Sequence, residues 1–260
     1  LCNQLIKFGY FFNKVDSLGI DYLATGHYAR ITKRDDGFFL QKGRDERKSQ
    51  EYFLSLINPS SLSRILFPLG NLTKSQVKRM AKDEGIIFKE RGESQDICFV
   101  NGRNYAQFIE ENTPDFSRYA GDIQHINGKI LGRHSGIYHF TYGQREGLRI
   151  SWRRPLYVAG IDTHTNTVIV AEKECLYKDR FCVSSLNWFR LPSQFKNIQV
   201  KVRYNSPFYN CDVVLRGKTA EVVLKGSGSS IAFGQVATFY SGETVLGGGI
   251  ISKVRDRHEQ

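Results

Sequence analysis

Two cysteines lie in contexts where a thiol could react. Cys98 follows the polar run 93–96 and begins an apolar segment, so a loop could deliver its thiol to a site. Cys2 precedes a stretch with helical periodicity and is expected at the N-terminal end of a helix, where free N–H groups stabilise a thiolate. Because the thiolate is the nucleophile, both positions could support thiol chemistry. The alternative for both is packing, since unpaired cysteines are often small buried hydrophobes.

The cysteine count predicts a reducing compartment. The sequence has five cysteines, an odd number, and no C-x-x-C pair, which fits neither a secreted disulfide framework nor a zinc ribbon. We therefore expect a cytoplasmic protein. Packing is the interpretation for the other three cysteines, which are Cys175, Cys182 and Cys211. No apolar run approaches the ~20 residues that a membrane span needs, so no membrane partner is expected.

The net charge of +11 predicts a polyanionic partner. The 260 residues include 37 Lys and Arg against 26 Asp and Glu, and the basic excess is spread over both residues 1–100 and residues 101–260. Basic side chains that neutralise phosphates release condensed counterions and give salt-dependent binding. The alternative is a solvated basic surface without a partner.

The N-terminal part shows a helix pattern followed by a strand pattern. Residues 3–18 carry apolar side chains at spacings of three and four, which predicts an amphipathic helix ending at Gly19. Residues 20–24 predict a buried strand that runs into Gly26 and His27, where a glycine lets backbone approach a ligand. This order is typical of an α/β sheet with its ligand crevice at the strand ends.

Three further features complete this part of the sequence. A hairpin is predicted over 28–42, with its turn at 35–37. The charged loop 43–50 that follows is typical of a solvated turn. Thr73 is expected to cap a helix that ends at Gly85.

Strand signals dominate from about residue 102 onward. After a short helix over 105–111, hairpins are predicted with turns at 127–128 and 162–166. Beyond residue 182 the patterns have period two, and their short spacing predicts an antiparallel β-barrel. Glycine runs at 226–228 and 247–249 lack the following helix that a phosphate loop requires, so turns and bulges are the interpretation.

A series of short motifs resembles, in order and spacing, the tRNA-specific 2-thiouridylases (MnmA/TrmU family) over essentially the whole chain. The motifs are Cys2-Asn3 with Ile6-Lys7-Phe8, Ala24-Thr25-Gly26-His27-Tyr28, Gln50 with Tyr52-Phe53-Leu54, Phe67-Pro68-Leu69-Gly70, Ser94 to Phe99, Tyr142-Gly143-Gln144-Arg145-Glu146-Gly147-Leu148, Gly234-Gln235 and Leu246-Gly247-Gly248-Gly249-Ile250.

The resemblance implies an α/β fold, here a partial PP-loop domain of the adenine-nucleotide α-hydrolase type, followed by a β-rich central domain and an antiparallel β-barrel. The corresponding boundaries are 1–101 for the C-terminal half of the ATP-binding and catalytic domain, 102–181 for the central tRNA-binding domain, and 182–260 for the barrel.

The resemblance also implies a two-cysteine sulfur transfer to C2 of the tRNA wobble uridine. ATP, with Mg²⁺ as its expected counterion, activates the C2 oxygen by adenylation. Cys98 matches the cysteine that carries a persulfide supplied by a sulfur-donor protein. Cys2 matches the cysteine that helps release the sulfur, which leaves a disulfide. Such a transfer needs two accessible thiols whose Cα atoms can come within roughly 4.4–6.8 Å. No metal site is expected in the chain, and an iron–sulfur site would need at least one more nearby cysteine.

Further residues match binding positions of the family. Gly26 matches a backbone contact to the adenine nucleotide. The positions matched to tRNA contacts are His27, Lys48, Ser49, Gln50, Arg203, Tyr204 and Gln235.

The Lys48-Ser49-Gln50 triplet departs from the family's usual Lys-Asp-Gln. Ser49 stands in place of the acidic residue, and Glu51 in place of a usual serine. A structural role is the alternative for His27, and a solvated strand face is the alternative for Arg203. A basic side chain beside an aromatic nonetheless suits phosphate contact and base stacking.

The family's Ser-Gly-Gly-Val-Asp-Ser phosphate loop would precede Leu1. We therefore expect a fragment that is inactive by itself. A non-catalytic tRNA- or RNA-binding remnant is the alternative function, although such a binder would need neither Cys2 nor Cys98. A thiol–disulfide oxidoreductase is disfavoured because its cysteines usually form a C-x-x-C pair.

Overall fold

The computed structural model describes residues 2–86, 100, 104–115, 119–226 and 228–255. Their contacts form two compact units. The first combines the described residues up to 86 with those from 179 onward, and the second contains the described residues between 100 and 178. Cys98 lies outside the described residues. None of the helices described is both long and apolar enough to cross a bilayer.

The described residues form short helices and many short strands. The helices are a π-helix (Cys2–Tyr10), α1 (Phe11–Ser17), α2 (Lys74–Asp83), α3 (Tyr105–Asn112) and four 3₁₀ helices (Glu51–Leu54, Pro59–Arg64, Ile137–His139 and Lys173–Leu176). The strands are β1 (Leu23–Ala24), β2 (Ala29–Arg34), β3 (Gly37–Lys42), β4 (Ile65–Leu66), β5 (Gly121–His125), β6 (Ile130–His134), β7 (Leu156–Asp162), β8 (Thr167–Glu172), β9 (Tyr177–Lys178), β10 (Arg180–Trp188), β11 (Ile198–Lys201), β12 (Tyr209–Arg216), β13 (Thr219–Leu224), β14 (Ser229–Ser230), β15 (Val236–Ser241) and β16 (Thr244–Arg255).

The predicted N-terminal helix is confirmed as two consecutive segments, the π-helix and α1. The chain turns at Gly19, whose φ of +66° is a left-handed conformation that glycine adopts readily. Phe8 and Val15 are buried, but Leu5 and Phe11 are 59% and 53% exposed. The wider turns of a π-helix do not keep residues three and four apart on one face, so the apolar stripe is only partly buried.

The predicted buried strand over 20–24 is confirmed only at its end. Strand β1 pairs in parallel with β4, with Leu23 opposite Ile65. Tyr22, just before the strand, is 55% exposed. The N–H of Thr25 donates to the carbonyl of Leu66 (3.0 Å), so both strands end at the same edge. This parallel pair, with α1 and α2, forms the α/β part of the first unit.

Helix α2 begins and ends as its sequence predicts. The Thr73 hydroxyl accepts a hydrogen bond from the Gln76 N–H (3.3 Å), and the Gln76 side chain accepts one from the Thr73 N–H (2.8 Å). This reciprocal capping box satisfies two donors that the first turn leaves without helical partners. Gly85, with a φ of +69°, closes the helix.

The C-terminal strands form the predicted antiparallel barrel. Six strands close in the order β10, β13, β12, β11, β15 and β16, because β16 also pairs with β10. The barrel interior is fully buried and apolar, and its largest side chains include Phe181, Phe239 and Ile251. Closure gives each of these six strands a partner on both sides.

The predicted 28–42 hairpin is confirmed as β2 and β3, but it continues the barrel sheet. Strand β3 pairs with β16, with Gln41 opposite Thr244. The Lys42 N–H donates to the carbonyl of Glu243 (3.0 Å), and the Arg30 guanidinium pairs with the Glu243 carboxylate (2.8 Å). A residue-by-residue pattern cannot predict this joining, because the two partners are about two hundred residues apart in sequence.

The second unit is built on a four-stranded sheet with the order β6, β5, β8 and β7. Its two hairpins and helix α3 confirm the sequence prediction. Strands β5 and β8 are parallel, and Val158, Val168 and Val170 form its fully buried centre.

The glycine run 247–249 lies inside β16, as its interpretation as a bulge requires. The pairing of β15 with β16 shifts register there. A Cβ at Gly248 would lie 2.7 Å from the Ser55 Oγ, and a Cβ at Gly249 would lie 2.4 Å from Val183 Cγ1 and 2.7 Å from the Ser184 carbonyl oxygen. Side chains at these positions would prevent the close approach of neighbouring segments.

We predict that Gly249→Ala destabilises the barrel by about 1–3 kcal/mol, the usual cost of overpacking. Gly132→Ala is the control, because Gly132 also lies in a strand but a Cβ there would meet no atom within 4 Å. Urea unfolding followed by tryptophan fluorescence measures the stability of both variants. Trp188 reports on the first unit and Trp152 on the second. Equal effects of the two substitutions would contradict the packing explanation.

Candidate functional site

The charged loop 43–50 is exposed at Arg44, Glu46 and Arg47, as the prediction of a solvated turn expects, but it is also anchored to the rest of the unit. The Arg44 N–H donates to the Gly70 carbonyl (2.9 Å). The Asp45 carboxylate accepts a hydrogen bond from the Lys74 N–H at the start of α2 (2.9 Å). These bonds fix the loop against the α/β part of the first unit.

Gln50 fixes the end of the same loop. Its N–H donates to the Tyr28 carbonyl (2.8 Å), and its side-chain oxygen accepts from the Tyr28 N–H (3.0 Å). Lys48, two residues earlier, is half-buried, and its N–H donates to the Asp45 carbonyl (3.0 Å). The backbone that carries these two predicted tRNA-contacting residues is therefore held in one conformation.

A buried carboxylate lies behind the loop. Glu51 is 2% exposed and accepts hydrogen bonds from the Ser49 hydroxyl and from the Tyr240 hydroxyl (3.1 Å). The Ser49 Oγ also accepts from the Gly43 N–H (2.7 Å). Burial and the nearby Glu51 carboxylate raise the pKa of Tyr240, so its hydroxyl keeps its proton. Ser49 thus faces the protein interior, where it connects the loop to Glu51.

Aromatic rings connect the Glu51–Leu54 helix to the turn after β11. The Tyr204 ring centroid lies 4.6 Å from that of Phe53 and 6.2 Å from that of Tyr52. Burial raises the pKa of Tyr52, and the positive charge of Arg203 opposes this effect, which places Arg203 near the same ring. Arg203 and Tyr204 follow β11 instead of lying on it, because the strand ends at Lys201.

The Glu51–Leu54 helix also contacts the segment that carries Cys2. The Asn3 side-chain N–H donates to the Phe53 carbonyl (3.2 Å), and Cys2 is exposed. Tyr52, Phe53 and Tyr204 are called the aromatic cluster below. Cys2, the predicted release cysteine, is therefore next in sequence to Asn3, which contacts this cluster at Phe53.

Two lysines missed by sequence reasoning lie in the same region. The Lys42 Nζ lies 3.9 Å and the Lys201 Nζ 5.1 Å from the ring centroid of Phe208, which is 37% exposed. Burial lowers the pKa of Lys201, while the Glu51 carboxylate opposes that shift. Each lysine alone is an ordinary strand residue, so no local pattern marks the pair.

Gln235 lies in the exposed turn before β15. The Tyr52 hydroxyl donates to the carbonyl of the next residue, Val236 (2.8 Å), which brings this turn to the aromatic cluster. Phe233 in the same turn is 74% exposed, and Gly234 has a φ of +81°. A large exposed aromatic next to a predicted contact residue suits base stacking.

His27 is buried, with 7% of its surface exposed. Its ring lies 5.9 Å from that of Phe8 and 5.8 Å from that of Phe67, and its Nδ1 is 2.8 Å from the Thr25 hydroxyl. Burial, followed by the charge of Lys7, lowers the pKa of His27 to about 4, so the ring is neutral near pH 7.

Gly26 is exposed directly after β1, at the edge where β1 and β4 end. A Cβ added there would meet only Leu69 Cδ1, at 3.7 Å, an ordinary contact. The protein itself therefore does not require a glycine at this position, whereas close approach of a ligand to the backbone would.

The three cysteines outside the predicted pair differ in exposure. Cys211 is fully buried, and burial raises the pKa of its thiol to about 12, which confirms the packing prediction. Cys182 is half-buried in β10. Cys175 is exposed, so the packing prediction is wrong for it. It lies at the surface because the apolar residue of its 3₁₀ turn, Leu176, takes the buried position.

Three protein families match successive parts of the sequence. They are the tRNA methyl transferase HUP domain over residues 1–102, the tRNA methyl transferase PRC-barrel domain over 106–172, and the aminomethyltransferase beta-barrel domain over 178–251. An α/β unit of the HUP class followed by two β-rich domains agrees with the predicted fold class.

Relatives match almost the whole chain. It is 41% identical to the tRNA-specific 2-thiouridylase MnmA of Syntrophotalea carbinolica, over 97% of this chain and 72% of the relative. The proteins of the same name from Geotalea uraniireducens and Aquifex aeolicus are 41% and 37% identical, over 96% and 97% of this chain and 67% and 71% of theirs. The chain belongs to the tRNA-specific 2-thiouridylase MnmA family.

Ser49 and Glu51, the two positions at which the sequence differs from the pattern expected from the family resemblance, contact each other. The usual acidic residue and serine are exchanged between positions 49 and 51, and the two side chains are hydrogen-bonded to each other. A carboxylate and a hydroxyl are therefore paired beneath the loop in this protein.

We predict strong coupling between positions 49 and 51. Glu51→Ser leaves buried hydroxyls without their acceptor, and Ser49→Asp places two carboxylates together, so each change should cost about 1–3 kcal/mol. The double exchange should recover more than about 1 kcal/mol of the summed loss in urea unfolding. The hydroxyl pair Thr165 and Thr167, exposed and also two residues apart, is the control and should show near-zero coupling. If the losses of unfolding free energy in the two single variants simply add in the double variant, the predicted coupling between positions 49 and 51 is wrong.

We predict that His27 makes stability fall on acidification between pH 6.5 and pH 4. In this window the unfolded chain binds a proton at His27 and the folded chain does not, so the free energy of unfolding falls as pH falls. The loss should reach up to about 3 kcal/mol, since one pKa unit is worth about 1.4 kcal/mol. In a Trp152→Phe background, Trp188 fluorescence follows the first unit alone.

His27→Gln should flatten this part of the pH profile, whereas His164→Gln, in an exposed turn of the second unit, should leave it unchanged. A profile that keeps its slope after His27→Gln would show that other groups titrate instead.

Proposed function

We propose that this protein is a tRNA 2-thiouridylase, a sulfurtransferase that places sulfur on C2 of the tRNA wobble uridine. The observation that carries this proposal is the convergence on the Glu51–Leu54 helix of Asn3, which follows Cys2 in the sequence, of the Lys48–Gln50 loop and of the Arg203–Tyr204 turn. The segment that carries an exposed cysteine thus contacts the same helix as cationic and aromatic groups suited to RNA. The names of the relatives support the same activity.

The thiol chemistry requires two cysteines with different tasks. The terminal sulfur of a Cys98 persulfide attacks C2 of the activated uridine, and the C2–O bond breaks, so that the oxygen leaves together with the adenylyl group that it carries. The Cys2 thiolate then attacks the Sγ of Cys98 and breaks the sulfur–sulfur bond, whose electron pair stays with the sulfur on C2. The resulting Cys2–Cys98 disulfide is reduced by an external thiol, and a sulfur-donor protein renews the persulfide.

ATP, with Mg²⁺, supplies the activation of the uridine C2 oxygen. The position of Gly26 fits a nucleotide contact, since its exposed backbone lies at the edge where two parallel strands end. Its hydrogen side chain lets a ligand approach the backbone. The neutral ring of His27, packed on Phe8, supports the start of the same segment.

For tRNA, we assign direct contacts and supporting roles separately. Lys48 and Arg203 neutralise phosphates, and Tyr204 offers a ring for stacking. Gln50 and Gln235 supply polar groups. Ser49 supports this surface from beneath through Glu51, in keeping with its burial.

The working protein on this proposal is cytoplasmic and has tRNA and a persulfide donor as partners. Its division into a PP-loop part (1–101), a central tRNA-binding domain (102–181) and a barrel (182–260) is part of the proposal. The contacts of the described residues show in addition that the barrel and the N-terminal residues form one compact unit.

We predict that Cys98→Ser and Cys2→Ser each abolish thiolation and leave tRNA affinity within about twofold. Serine cannot carry a persulfide or form the disulfide, but it removes no charge from the RNA-facing surface. The measurement is the 2-thiouridine content of tRNA from cells that express the variant from its native gene, together with tRNA binding by the purified protein. Cys175→Ser is the matched control, because Cys175 is exposed but lies outside the site.

Each unfavourable result has a definite meaning. Thiolation that survives Cys98→Ser would exclude its persulfide role. Unchanged thiolation in both cysteine variants, with intact tRNA binding, would favour the non-catalytic binding function. Absence of tRNA binding by the unmodified protein would overturn the proposed function altogether.

A further inference from the structure

A group of arginines in the second unit has no role in the proposed chemistry. Residues 145–154 contain Arg145, Arg149, Arg153 and Arg154 but only one acidic residue, Glu146. All four arginines line one open depression of about 620 Å³, and no carboxylate lines it. We call these four residues the arginine platform.

The platform keeps most of its charge available. Arg154 pairs with Glu174 at 2.8 Å, and both side chains are more than half exposed. Among the residues that the structure describes, the other three arginines form no ion pair. Three adjacent guanidinium groups without a carboxylate repel one another, and this arrangement becomes favourable when an anion binds.

The backbone beneath the platform is fixed in position. The Gln144 side chain accepts from the Thr141 N–H (2.8 Å) and donates to the Glu146 carbonyl (2.9 Å). The Gln144 carbonyl also accepts from the Val158 N–H (2.9 Å), which ties the segment to β7. Arg149 has a φ of +52°, a conformation that is costly for a side chain other than glycine. Such strain persists where the surrounding structure enforces it, often at binding sites.

Trp152 anchors the middle of the segment. Its indole N–H donates to Glu172 (3.3 Å), and its ring lies 5.0 Å from the buried His125. Hydrogen bonds from its own backbone, from His125 and from Trp152 lower the pKa of Glu172 to about 2, so the carboxylate stays charged. The indole is therefore held in place by a permanent acceptor.

The basic surface continues on the other side of Trp152. A second depression of about 650 Å³ is lined by Asn127, Lys129, Ser151, Trp152 and Arg153, and it too lacks a carboxylate. The Lys129 Nζ lies 5.5 Å from the Trp152 ring centroid. Two adjoining basic depressions offer successive positions for a ligand that carries repeated negative charges.

We propose that the arginine platform binds backbone phosphates of the tRNA substrate, a site separate from the one around Glu51. This inference rests on the proposed function, since it assumes a tRNA substrate. Planar guanidinium groups match phosphate geometry with paired N–H donors. Phosphate contacts position an RNA without reading its sequence, so the platform contributes affinity and orientation and leaves selection of the uridine to the other site.

The test compares tRNA binding by the unmodified protein and by Arg149→Gln/Arg153→Gln over a series of salt concentrations. Each lost phosphate contact lowers the slope of log affinity against log salt by about 0.7–0.9, so the double variant should lower it by about 1.4–1.8. Its affinity at moderate salt should fall roughly tenfold. The probe is an unmodified tRNA transcript followed by fluorescence anisotropy.

Arg216→Gln/Lys218→Gln is the matched control, because it removes two exposed charges from the β12–β13 turn. It should change the slope by less than about 0.5. Arg149→Lys/Arg153→Lys keeps the charge and should retain the slope while losing part of the affinity. Trp152 fluorescence verifies that the second unit is folded in each variant.

The outcomes separate this inference from the proposed function. If the unmodified protein binds tRNA, and the double glutamine variant binds with the same slope and affinity, the platform assignment is wrong while the proposed function stands. Thiolation lost in that variant without any change in tRNA binding would assign the platform to a protein partner and overturn the inference. If the unmodified protein fails to bind tRNA, both fall together.

Discussion

The buried carboxylate of Glu51 is the constraint on which the rest of the site depends. A carboxylate taken out of water must be compensated by donors, and Glu51 obtains them from Ser49 in the loop and Tyr240 in β15. This requirement holds the 43–50 loop and the barrel in one arrangement. Lys201, whose charge is disfavoured by burial, is in turn supported by Glu51.

Further contacts join elements that the sequence presents as separate. The β2–β3 hairpin lies near the N-terminus, yet it extends the sheet of the C-terminal barrel. Asn187 of β10 donates to the carbonyls of Ser55 (2.9 Å) and Ile57 (2.8 Å), and Gly248 leaves room for Ser55. The N-terminal residues and the barrel are consequently a single packed body instead of independent domains.

Sequence reasoning predicted the features that local physics determines. Thr73, Gly85 and the 127–128 turn mark element ends because capping and left-handed turns depend on neighbouring residues alone. The period-two runs predicted the barrel. Non-local contacts could not be found this way: the anchoring of 43–50 by Gly70 and Lys74, the convergence of Lys42 and Lys201 on Phe208, and the contact of Tyr240 with Glu51 all bring together residues that are far apart in sequence. Motif order identified candidate site residues in two separate parts of the chain, but it predicted neither their convergence nor which of their side chains face inward.

The two hydrogen bonds of Asn187 have a consequence for the spacing of the candidate site residues. They fix the segment 55–57 to the barrel, and the Glu51–Leu54 helix directly before it contacts both Asn3 and Tyr204. The separation between the residue next to Cys2 and the Arg203–Tyr204 turn is thus set by the fold. The first unit therefore holds Asn3 and the Arg203–Tyr204 turn at a fixed separation. On the proposed function, this fixed separation would correspond to the distance along the RNA between the backbone that the turn contacts and the nucleotide that is modified.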